Sequence, residues 1–381
     1  MRVRFWGTRG SLPRPGTTTL RYGGNTSCVE LRTDDGTLIV LDCGTGAYGL
    51  GQELLSETPL TAHLLITHTH WDHVQGFPFF APLFVPGNDW HMYAPLGLGG
   101  KLEETLAGQM EYSYFPVTLD ALSATLSYED LAEGEVQMGG ARVVVRFLNH
   151  PAPALGYRIE ADGASVAYIT DHEPFSQHRD EITGLPLHRE DQRHIEFLEN
   201  ADLIIHDSQY TAEEYTGKVG WGHTPMESSI EFALAANAKR LALYHHDPVR
   251  SDDDLDRLVT QFRQSLADQD SQLELFAAAE GQVIDLKEED GAQTRAPIHA
   301  QKQPAPCPLA PGKVTILIAD DDPVLLRVTE AALRAEGFTP LTARDGESAL
   351  NIARDVHPDL ILLDLNMPVM DGWTLINLLK K

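Results

Sequence analysis

A run of closely spaced histidines and aspartates, placed directly after an apolar stretch, restricts the fold of this 381-residue chain more than any other feature. Residues 63–73 read HLLITHTHWDH, a strand-like segment that runs into the polar cluster. Side chains at positions i and i+2 of an extended chain project to the same side, so His68 and His70 can hold one cation together. Asp72 and His73 follow where the chain turns and can reach a second cation. Imidazoles combined with a carboxylate suit Zn²⁺, and also Mn²⁺ or Fe. The pattern therefore predicts a strand that ends at a metal site.

Composition and charge exclude several classes of protein. The chain is 42% hydrophobic and 22% charged, which argues against wholesale disorder, collagen and coiled coil. Its formal net charge of −27 argues against an extended nucleic-acid surface, but not against a small anionic substrate drawn to a metal ion. The three cysteines form no CxxC pair, so neither a disulfide framework nor a cysteine-type zinc finger is expected. No apolar run approaches the ~20 residues of a membrane span and no signal-peptide pattern occurs, so we expect a cytoplasmic protein with no membrane partner.

A segment rich in proline, alanine and glutamine divides the chain. Residues 287–312 have no apolar periodicity and predict an extended tether. A large domain is expected before it, at residues 1–286, and a short one after it, at residues 313–381. In the large domain, apolar runs predict strands at residues 3–6, 27–32, 37–42, 62–67, 142–148, 165–170, 203–206, 240–244 and 273–276. Helices are predicted at residues 230–238 and 252–267, the second with a capping-box-like start. Several strands are apolar on both faces, which indicates sheets that are covered on each side.

The cluster at residues 68–73, HTHWDH, matches the HxHxDH motif of the metallo-β-lactamase superfamily, and the resemblance extends along the whole large domain. The stretches WGTRGS and YGGNTSC…LDCGTG resemble the ribonuclease Z and cyclic-nucleotide phosphodiesterase branch of that superfamily. The resemblance implies an α/β fold, an αββα sandwich with a dinuclear metal site at one sheet edge.

The resemblance also implies the remaining metal ligands. His150, Asp171 and His245 each end or follow a strand-like stretch, and they correspond to the third-motif histidine, the bridging aspartate and the final histidine of the family. The first ion would then be held by His68, His70 and His150, the second by Asp72, His73 and His245, and Asp171 would bridge them. His246 is adjacent to His245, and the sequence alone leaves it as the alternative ligand.

Two further segments carry a resemblance to ribonuclease Z-like enzymes, in which an acidic residue orients a histidine that serves the leaving group. Here the segments DLIIHDSQY and GWGHT would place Asp207 and His223 in these roles, with Asp in place of the usual Glu. A carboxylate can fix the tautomer of an imidazole that then gives a proton to an alkoxide or holds a phosphate oxygen. The alternatives are a helix cap or turn for Asp207 and a packed loop histidine for His223. Asp42 is either a support for a metal-bound histidine or a simple strand-end carboxylate.

Other conspicuous residues receive plainer interpretations. The four histidines of the following polar stretch are expected to face solvent: His172, His178, His188 and His194. The apolar stretch 77–84 and its partners are expected to be core rather than a substrate mouth; these partners are Met110, Tyr112, Tyr114 and Phe115.

The predicted activity is that of a metal-dependent hydrolase. The resemblance implies two Zn²⁺ ions, with Mn²⁺ or Fe as alternatives, and a metal-bridging hydroxide that attacks a phosphodiester. Asp72, His223 and Asp207 are the expected catalytic residues. A lactone, thioester or carboxylic-ester hydrolase is the alternative within the enzyme class, so the expected partner is a small anionic or ester substrate. The sequence leaves a homo-oligomer open.

The short segment carries three carboxylates at the ends of predicted strands. Strands are predicted at residues 314–322, 339–342 and 360–364, with helices at 324–336 and 346–354. Asp320, Asp321 and Asp364 would meet at one edge, which suits Mg²⁺ and an aspartyl phosphate. With LLDLNMPVMDGW, the segment resembles the first half of a response-regulator receiver domain. The resemblance implies Asp364 as phosphoacceptor, Asp320, Asp321 and Asn366 as Mg²⁺ ligands, and a histidine kinase as partner. A non-catalytic metal-binding output module regulated by this segment is the second class of function.

Overall fold

The structure is a computed structural model. It describes residues 1–95, 101–176, 188–286, 314–321, 337–364 and 372–379, together with residues 326, 329–330, 333–334, 367 and 369–370. The chain forms two compact units, Met1–His299 and Ala300–Lys381. The predicted tether at residues 287–312 lies outside the described residues.

Two seven-stranded sheets build the described part of the first unit. Its strands are β1 (Arg2–Gly7), β2 (Cys28–Arg32), β3 (Leu38–Leu41), β4 (Thr61–Leu65), β5 (Asp89–Pro95), β6 (Thr125–Leu131), β7 (Gly134–Met138), β8 (Ala141–Leu148), β9 (Ala154–Ala161), β10 (Ala164–Ile169), β11 (Leu203–Asp207), β12 (Arg240–Tyr244), β13 (Glu274–Ala277) and β14 (Val283–Asp285). One sheet has the order β14-β1-β2-β3-β4-β5-β6 and the other the order β13-β12-β11-β10-β9-β8-β7.

The helices of this unit lie between the strands in sequence. They are α1 (Ala47–Leu54), α2 (Trp71–Val74), α3 (Leu102–Gln109), α4 (Arg189–Leu198), α5 (Ala212–Tyr215), α6 (Met226–Ala235) and α7 (Asp252–Asp268), with 3-10 turns at Leu55–Glu57, Phe77–Phe79, Ala81–Phe84 and Leu119–Ala121. Helix α6 begins earlier than predicted, directly after Pro225, because proline has a backbone φ suited to a helix start and needs no N–H there. Helix α7 begins at the predicted capping box, in which Ser251 Oγ accepts a hydrogen bond from Asp254 N.

Three apolar cores separate four layers. Phe5, Tyr157 and Tyr244 belong to a core that contains residues of both sheets. A second core joins strands of the β13-to-β7 sheet to helices α4, α6 and α7, and a third joins strands of the β14-to-β6 sheet to α1 and α3. Each sheet is therefore covered on both faces, which explains why strands such as β11 are buried along their whole length. This arrangement confirms the predicted αββα sandwich.

The strand directions bring several chain turns to one edge of the sandwich. Strands β3, β4 and β5 are parallel in one sheet, and β10, β11 and β12 are parallel in the other. Strand β9 pairs antiparallel with both β8 and β10, so β8 and β10 share a direction. Because the carboxyl ends of like-directed strands lie at one edge, the residues that follow β8, β10 and β12 lie at the same edge of their sheet. The turn after β4 meets that edge, since Leu155 N donates to the carbonyl oxygen of Thr67 at 2.9 Å.

The described part of the second unit contains a small parallel sheet. Its elements are β15 (Thr315–Ala319), β16 (Thr339–Ala343), β17 (Leu360–Leu363), α8 (Gly346–Val356) and α9 (Gly372–Leu379). The strand order is β16-β15-β17, and Leu317, Ala349 and Leu375 belong to its apolar core. This sheet confirms the receiver-like segment of the predicted fold class. Most of the predicted helix at residues 324–336 lies outside the described residues. No helix that the structure describes in either unit is long and apolar enough to cross a membrane.

Candidate metal centre

Besides a group formed by Asp171, His223 and His245, two groups of donor side chains meet at the carboxyl-end edge of the sandwich. Within each group the donor atoms all lie within 4.8 Å of one another. The first group consists of His68, His70, His150 and Asp171, and the second of Asp72, His73 and His245. The structure thus brings together all seven residues that the sequence predicted as ligands. They come from the turns after β4, β8, β10 and β12 and from the short helix α2.

Asp171 faces both groups, one with each oxygen. Its Oδ2 lies 3.5 Å from His68 Nε2 and 3.9 Å from His150 Nε2. Its Oδ1 lies 3.2 Å from His73 Nε2 and 3.1 Å from His245 Nε2. A carboxylate in this position can bridge two cations.

Unpartnered nitrogen atoms are a second observation that supports divalent cations at this site. The Nε2 atoms of His68 and His73 are buried and have no hydrogen-bond partner. A buried polar atom without a partner is costly, and a cation in each of the two groups would satisfy one of these atoms. Burial, together with neighbouring imidazoles, holds the pKa of His68 well below its ordinary value, so that imidazole is neutral and can act as a ligand. Burial opposes ionisation of Asp171, but the surrounding histidines outweigh it and hold its pKa well below the ordinary range.

Strained backbone accompanies the centre. Asp171 and His245 have φ values of 55° and 60°, and Asp42 has a φ of 59°. Left-handed backbone is uncommon outside glycine and tends to occur at functional sites, where the surrounding structure enforces it. The backbone of Gly10 packs closely against the imidazole of His245, since a Cβ atom on residue 10 would lie 2.5 Å from His245 Nδ1. Only glycine lets the loop after β1 pass so close to the imidazole.

Asp42 orients His73 from the side opposite the cluster. Its Oδ2 lies 2.8 Å from His73 Nδ1 and accepts a hydrogen bond from Tyr168 OH at 2.9 Å. Its Oδ1 accepts the backbone N–H of Thr67 at 2.7 Å. Because His73 Nδ1–H donates to this carboxylate, the lone pair of Nε2 points into the cluster.

The two adjacent histidines at 245 and 246 point to different surroundings. His245 Nε2 lies 3.1 Å from both Asp72 Oδ2 and Asp171 Oδ1. His246 is also buried, but its Nε2 lies 2.9 Å from the carbonyl oxygen of Ala278. The geometry places His245, and not His246, in the candidate centre.

Asp207 and His223 form a pair beside the cluster. His223 Nδ1 lies 3.0 Å from Asp207 Oδ2 and 4.0 Å from Asp171 Oδ2. The imidazole of His223 stacks on that of His245, with the ring centroids 5.2 Å apart. Burial opposes protonation of His223, but the carboxylates of Asp207 and Asp171 outweigh it and raise its pKa to about 9. This imidazole can therefore carry a proton at neutral pH.

The expectation that the neighbouring histidines face solvent was wrong for two of them. His172 and His194 are buried, and their rings stack with centroids 4.1 Å apart. His194 Nε2 lies 3.1 Å from His206 Nε2, and Phe232 of α6 packs against all three imidazoles. Helix α4 is polar in sequence, but its buried face contributes His194 to this cluster. His188 is exposed, as predicted, and His178 lies outside the described residues.

The predicted apolar core around residues 77–84 is only partly core. Phe77, Phe80 and Met110 are fully buried. Tyr112 and Tyr114, in contrast, are 82% and 77% exposed. The aromatic residues of this region therefore divide between the third core and the surface.

Sequence reasoning missed the groups that hold the ligands in place. Ser11 donates its backbone N–H to Asp72 Oδ2 at 2.7 Å, and Glu173 binds the loop before His223 through Gly220 and Gly222. Backbone donors carry no sequence signal. Glu173, however, lies two residues after Asp171, and an acidic residue so close to a candidate ligand could have been singled out.

In the second unit the three predicted aspartates come together. Donor atoms of Asp320, Asp321 and Asp364 lie within 4.8 Å of one another, at the carboxyl ends of β15 and β17. Asn366 lies outside the described residues. The three carboxylates can hold a divalent cation.

Comparison with known families gives the identity of both units. The beta-lactamase superfamily domain matches residues 37–246, more than half of the chain. The chain belongs to this superfamily. The response regulator receiver domain matches residues 316–381, so the protein joins a metallo-β-lactamase domain to a receiver segment.

Individual relatives agree with this division. Ribonuclease Z of Natronomonas pharaonis is 25% identical over 291 residues, which cover 64% of this chain and 86% of that protein. The probable transcriptional regulatory protein TcrX of Mycobacterium tuberculosis is 43% identical over 67 residues, 18% of this chain. The chain spans 29% of the length of that regulator. The crystal structure of the short form of human tRNase Z covers 76% of this chain and all of its own, at a TM-score of 0.51 and 21% identity, which shows a shared fold. Family match, fold and donor set all place the first unit in the metallo-β-lactamase superfamily.

Proposed function

We propose that the first unit is a dinuclear zinc enzyme that hydrolyses phosphodiesters. The observation that carries the proposal is Asp171, whose two oxygens face the two groups of donors. One Zn²⁺ would be held by His68, His70 and His150 and the other by Asp72, His73 and His245, with Asp171 between them. Mn²⁺ and Fe suit the same donors. Bound ions of this kind supply positive charge for developing oxyanions and make water acidic enough to attack at neutral pH.

His223 and Asp207 are the proposed leaving-group pair. Asp207 accepts the proton of His223 Nδ1, which fixes the ring so that Nε2 is its free end. A proton on Nε2 can be given to a departing alkoxide or shared with a phosphate oxygen. The similarity to ribonuclease Z supports a phosphodiester as the substrate.

Asp72 is proposed to orient the attacking water as well as to hold a cation. Its Oδ2 lies 3.1 Å from His245 Nε2 and accepts the backbone N–H of Ser11 at 2.7 Å. Burial opposes ionisation of Asp72, but His73 and His245 outweigh it and keep its pKa well below the ordinary range. An ionised Oδ2 can accept a hydrogen bond from the water and so set its direction of attack.

The substrate is proposed to be a small anionic ester. A cavity of about 690 Å³ adjoins His150 and is walled by Phe175, Tyr215 and Val219. Its walls suit an organic group attached to the reacting phosphate. The net charge of −27 works against an extended nucleic-acid ligand.

A substrate panel tests this proposal. Zinc-loaded protein is compared on a chromogenic phosphodiester, a lactone and a thioester, with His223→Ala as the variant. We expect turnover of the phosphodiester and a loss of about 10²–10⁴-fold in the variant, the usual contribution of a general acid. Turnover restricted to the lactone or thioester would replace the phosphodiesterase assignment, and no turnover of any substrate would favour a metal-binding output module.

For the second unit we propose phosphorylation at Asp364 by a histidine kinase, with Mg²⁺ held by Asp320, Asp321 and Asn366. The support is the cluster of three aspartates and the receiver-domain match. Acetyl phosphate with Mg²⁺ should label the full chain and should not label Asp364→Asn. Hydrolase activity measured with and without acetyl phosphate then shows whether the phosphorylated segment regulates the first unit.

A further inference from the structure

We infer that Glu173 is a positioning residue for His150, and that it sets the affinity of the cation held by His68, His70 and His150; the inference rests on the metal assignment of the proposed function. Glu173 follows β10 by four positions and is 7% exposed. The hydrogen bonds of its carboxylate go to Tyr215, Gly220 and Gly222 and to none of the seven donors, so the chemistry proposed above gives it no role.

The backbone of Glu173 is fixed on one side of His150. Glu173 N donates to the carbonyl oxygen of Asn149 at 2.9 Å. Asn149 Nδ2 in turn donates to the carbonyl oxygen of Glu173 at 2.8 Å. Because Asn149 immediately precedes His150, these two hydrogen bonds fix the start of the turn that carries the ligand.

The side chain of Glu173 fixes the other side. Oε1 accepts the backbone N–H of Gly220 at 2.7 Å and the hydroxyl of Tyr215, and Oε2 accepts the backbone N–H of Gly222 at 2.8 Å. Residues 215–222, called the arch below, are therefore held by one buried carboxylate. A carboxylate that accepts this many hydrogen bonds is a strong anchor.

The arch acts on His150 through Gly222. The carbonyl oxygen of Gly222 lies 3.1 Å from His150 Nδ1 and accepts its proton, which leaves the lone pair of Nε2 directed at the cluster. Gly222 has a φ of 85°, and a Cβ atom at this position would overlap the imidazole of His150. Glu173 thus brackets His150, with Asn149 on one side and Gly222 on the other.

The effect should be confined to one of the two cations. His73 is oriented by Asp42, and His245 is enclosed by Gly10. The hydrogen bonds described for Glu173 reach neither group. Loss of the Glu173 carboxylate should therefore weaken the group that contains His150 and spare the group that contains His73 and His245.

Zinc titration of the full chain against a chromogenic chelator tests the inference without a substrate. In Glu173→Gln, the amide replaces one acceptor of the arch with a donor, and we expect one zinc equivalent to bind about 10–100-fold more weakly while the other is unchanged. Asp202→Asn is the matched control, because Asp202 accepts the backbone N–H of Ser165 at the opposite end of β10. Unchanged affinities in Glu173→Gln, or an equal fall of both, would overturn the inference.

Two glycine variants separate the contact between residue 222 and His150 from the backbone strain of an alanine at a positive φ. Gly163, between β9 and β10, has a φ of 75° and Gly222 a φ of 85°, but a Cβ atom on residue 163 would meet open space. We expect Gly222→Ala to weaken the same zinc equivalent as Glu173→Gln, and Gly163→Ala to leave both equivalents unchanged. Near-ultraviolet circular dichroism of each variant identifies any that fails to fold. Zinc affinities that shift as expected in a protein without phosphodiesterase activity would refute the proposed function and leave the role of Glu173 standing.

Discussion

Replacing Asp42 by asparagine should disable His73 as a ligand while keeping the shape of the site. Asparagine is nearly isosteric with aspartate and tolerates the left-handed backbone found at residue 42. The two oxygens of the Asp42 carboxylate accept hydrogen bonds from Thr67, Tyr168 and His73. The asparagine amide has only one acceptor oxygen, and its NH₂ group is a donor. If the amide oxygen keeps Thr67 N, the amide N–H₂ faces Tyr168 OH and His73 Nδ1.

The consequence for His73 is a change of tautomer. Tyr168 can rotate its hydroxyl and accept, but His73 Nδ1 can accept only if its proton moves to Nε2. That proton removes the lone pair that points toward Asp72 and Asp171. Loss of such an outer partner weakens metal binding by about 10–100-fold. This corresponds to ~1.4–2.7 kcal/mol of binding free energy. The mismatched buried groups should also lower the free energy of unfolding of the metal-free protein by about 1–3 kcal/mol.

Zinc titration and urea denaturation measure the two effects separately. Tyr168→Phe is the control, because it removes one donor to Asp42 and leaves the 2.8 Å contact with His73. That variant should lose about 1 kcal/mol of stability and keep the zinc affinity of the natural protein. Wild-type zinc affinity in Asp42→Asn would refute the tautomer argument, whatever its stability.

Three other outcomes are expected. Asp171→Asn should weaken both zinc equivalents, because each oxygen of Asp171 faces one group of donors; a titration in which only one equivalent falls would contradict its bridging position. His245→Ala should lower the zinc content measured by atomic absorption, whereas His246→Ala should lower the thermal midpoint and keep the zinc, since His246 contacts Ala278 instead. Asp364→Asn should abolish labelling by acetyl phosphate, and persistent label would place the phosphoacceptor elsewhere.

Much of the site could be predicted because its residues lie at recognisable places in the sequence. His68 to His73 occupy a single turn after a strand, and His150, Asp171 and His245 each follow an apolar run. The sequence favoured His245 but left His246 as an alternative, because the backbone conformation that separates the two residues after the same strand could not be predicted. The burial of His172 and His194 was also missed, because α4, which carries His194 and packs it against His172, is strongly polar in sequence and buries only one face.

The sequence by itself determined the local features of this protein: the alternation of strands and helices, the polar turns that end them and the spacing of HTHWDH. These depend on neighbouring residues and on the periods of extended and helical chain. Only the tertiary structure decided which turns meet. The pairing of Glu173 with Gly222, 49 residues apart, and the division of Asp171 between two groups of histidines follow from how two sheets stack and which strands run in the same direction. Those long-range contacts leave no periodic trace in the residues that make them.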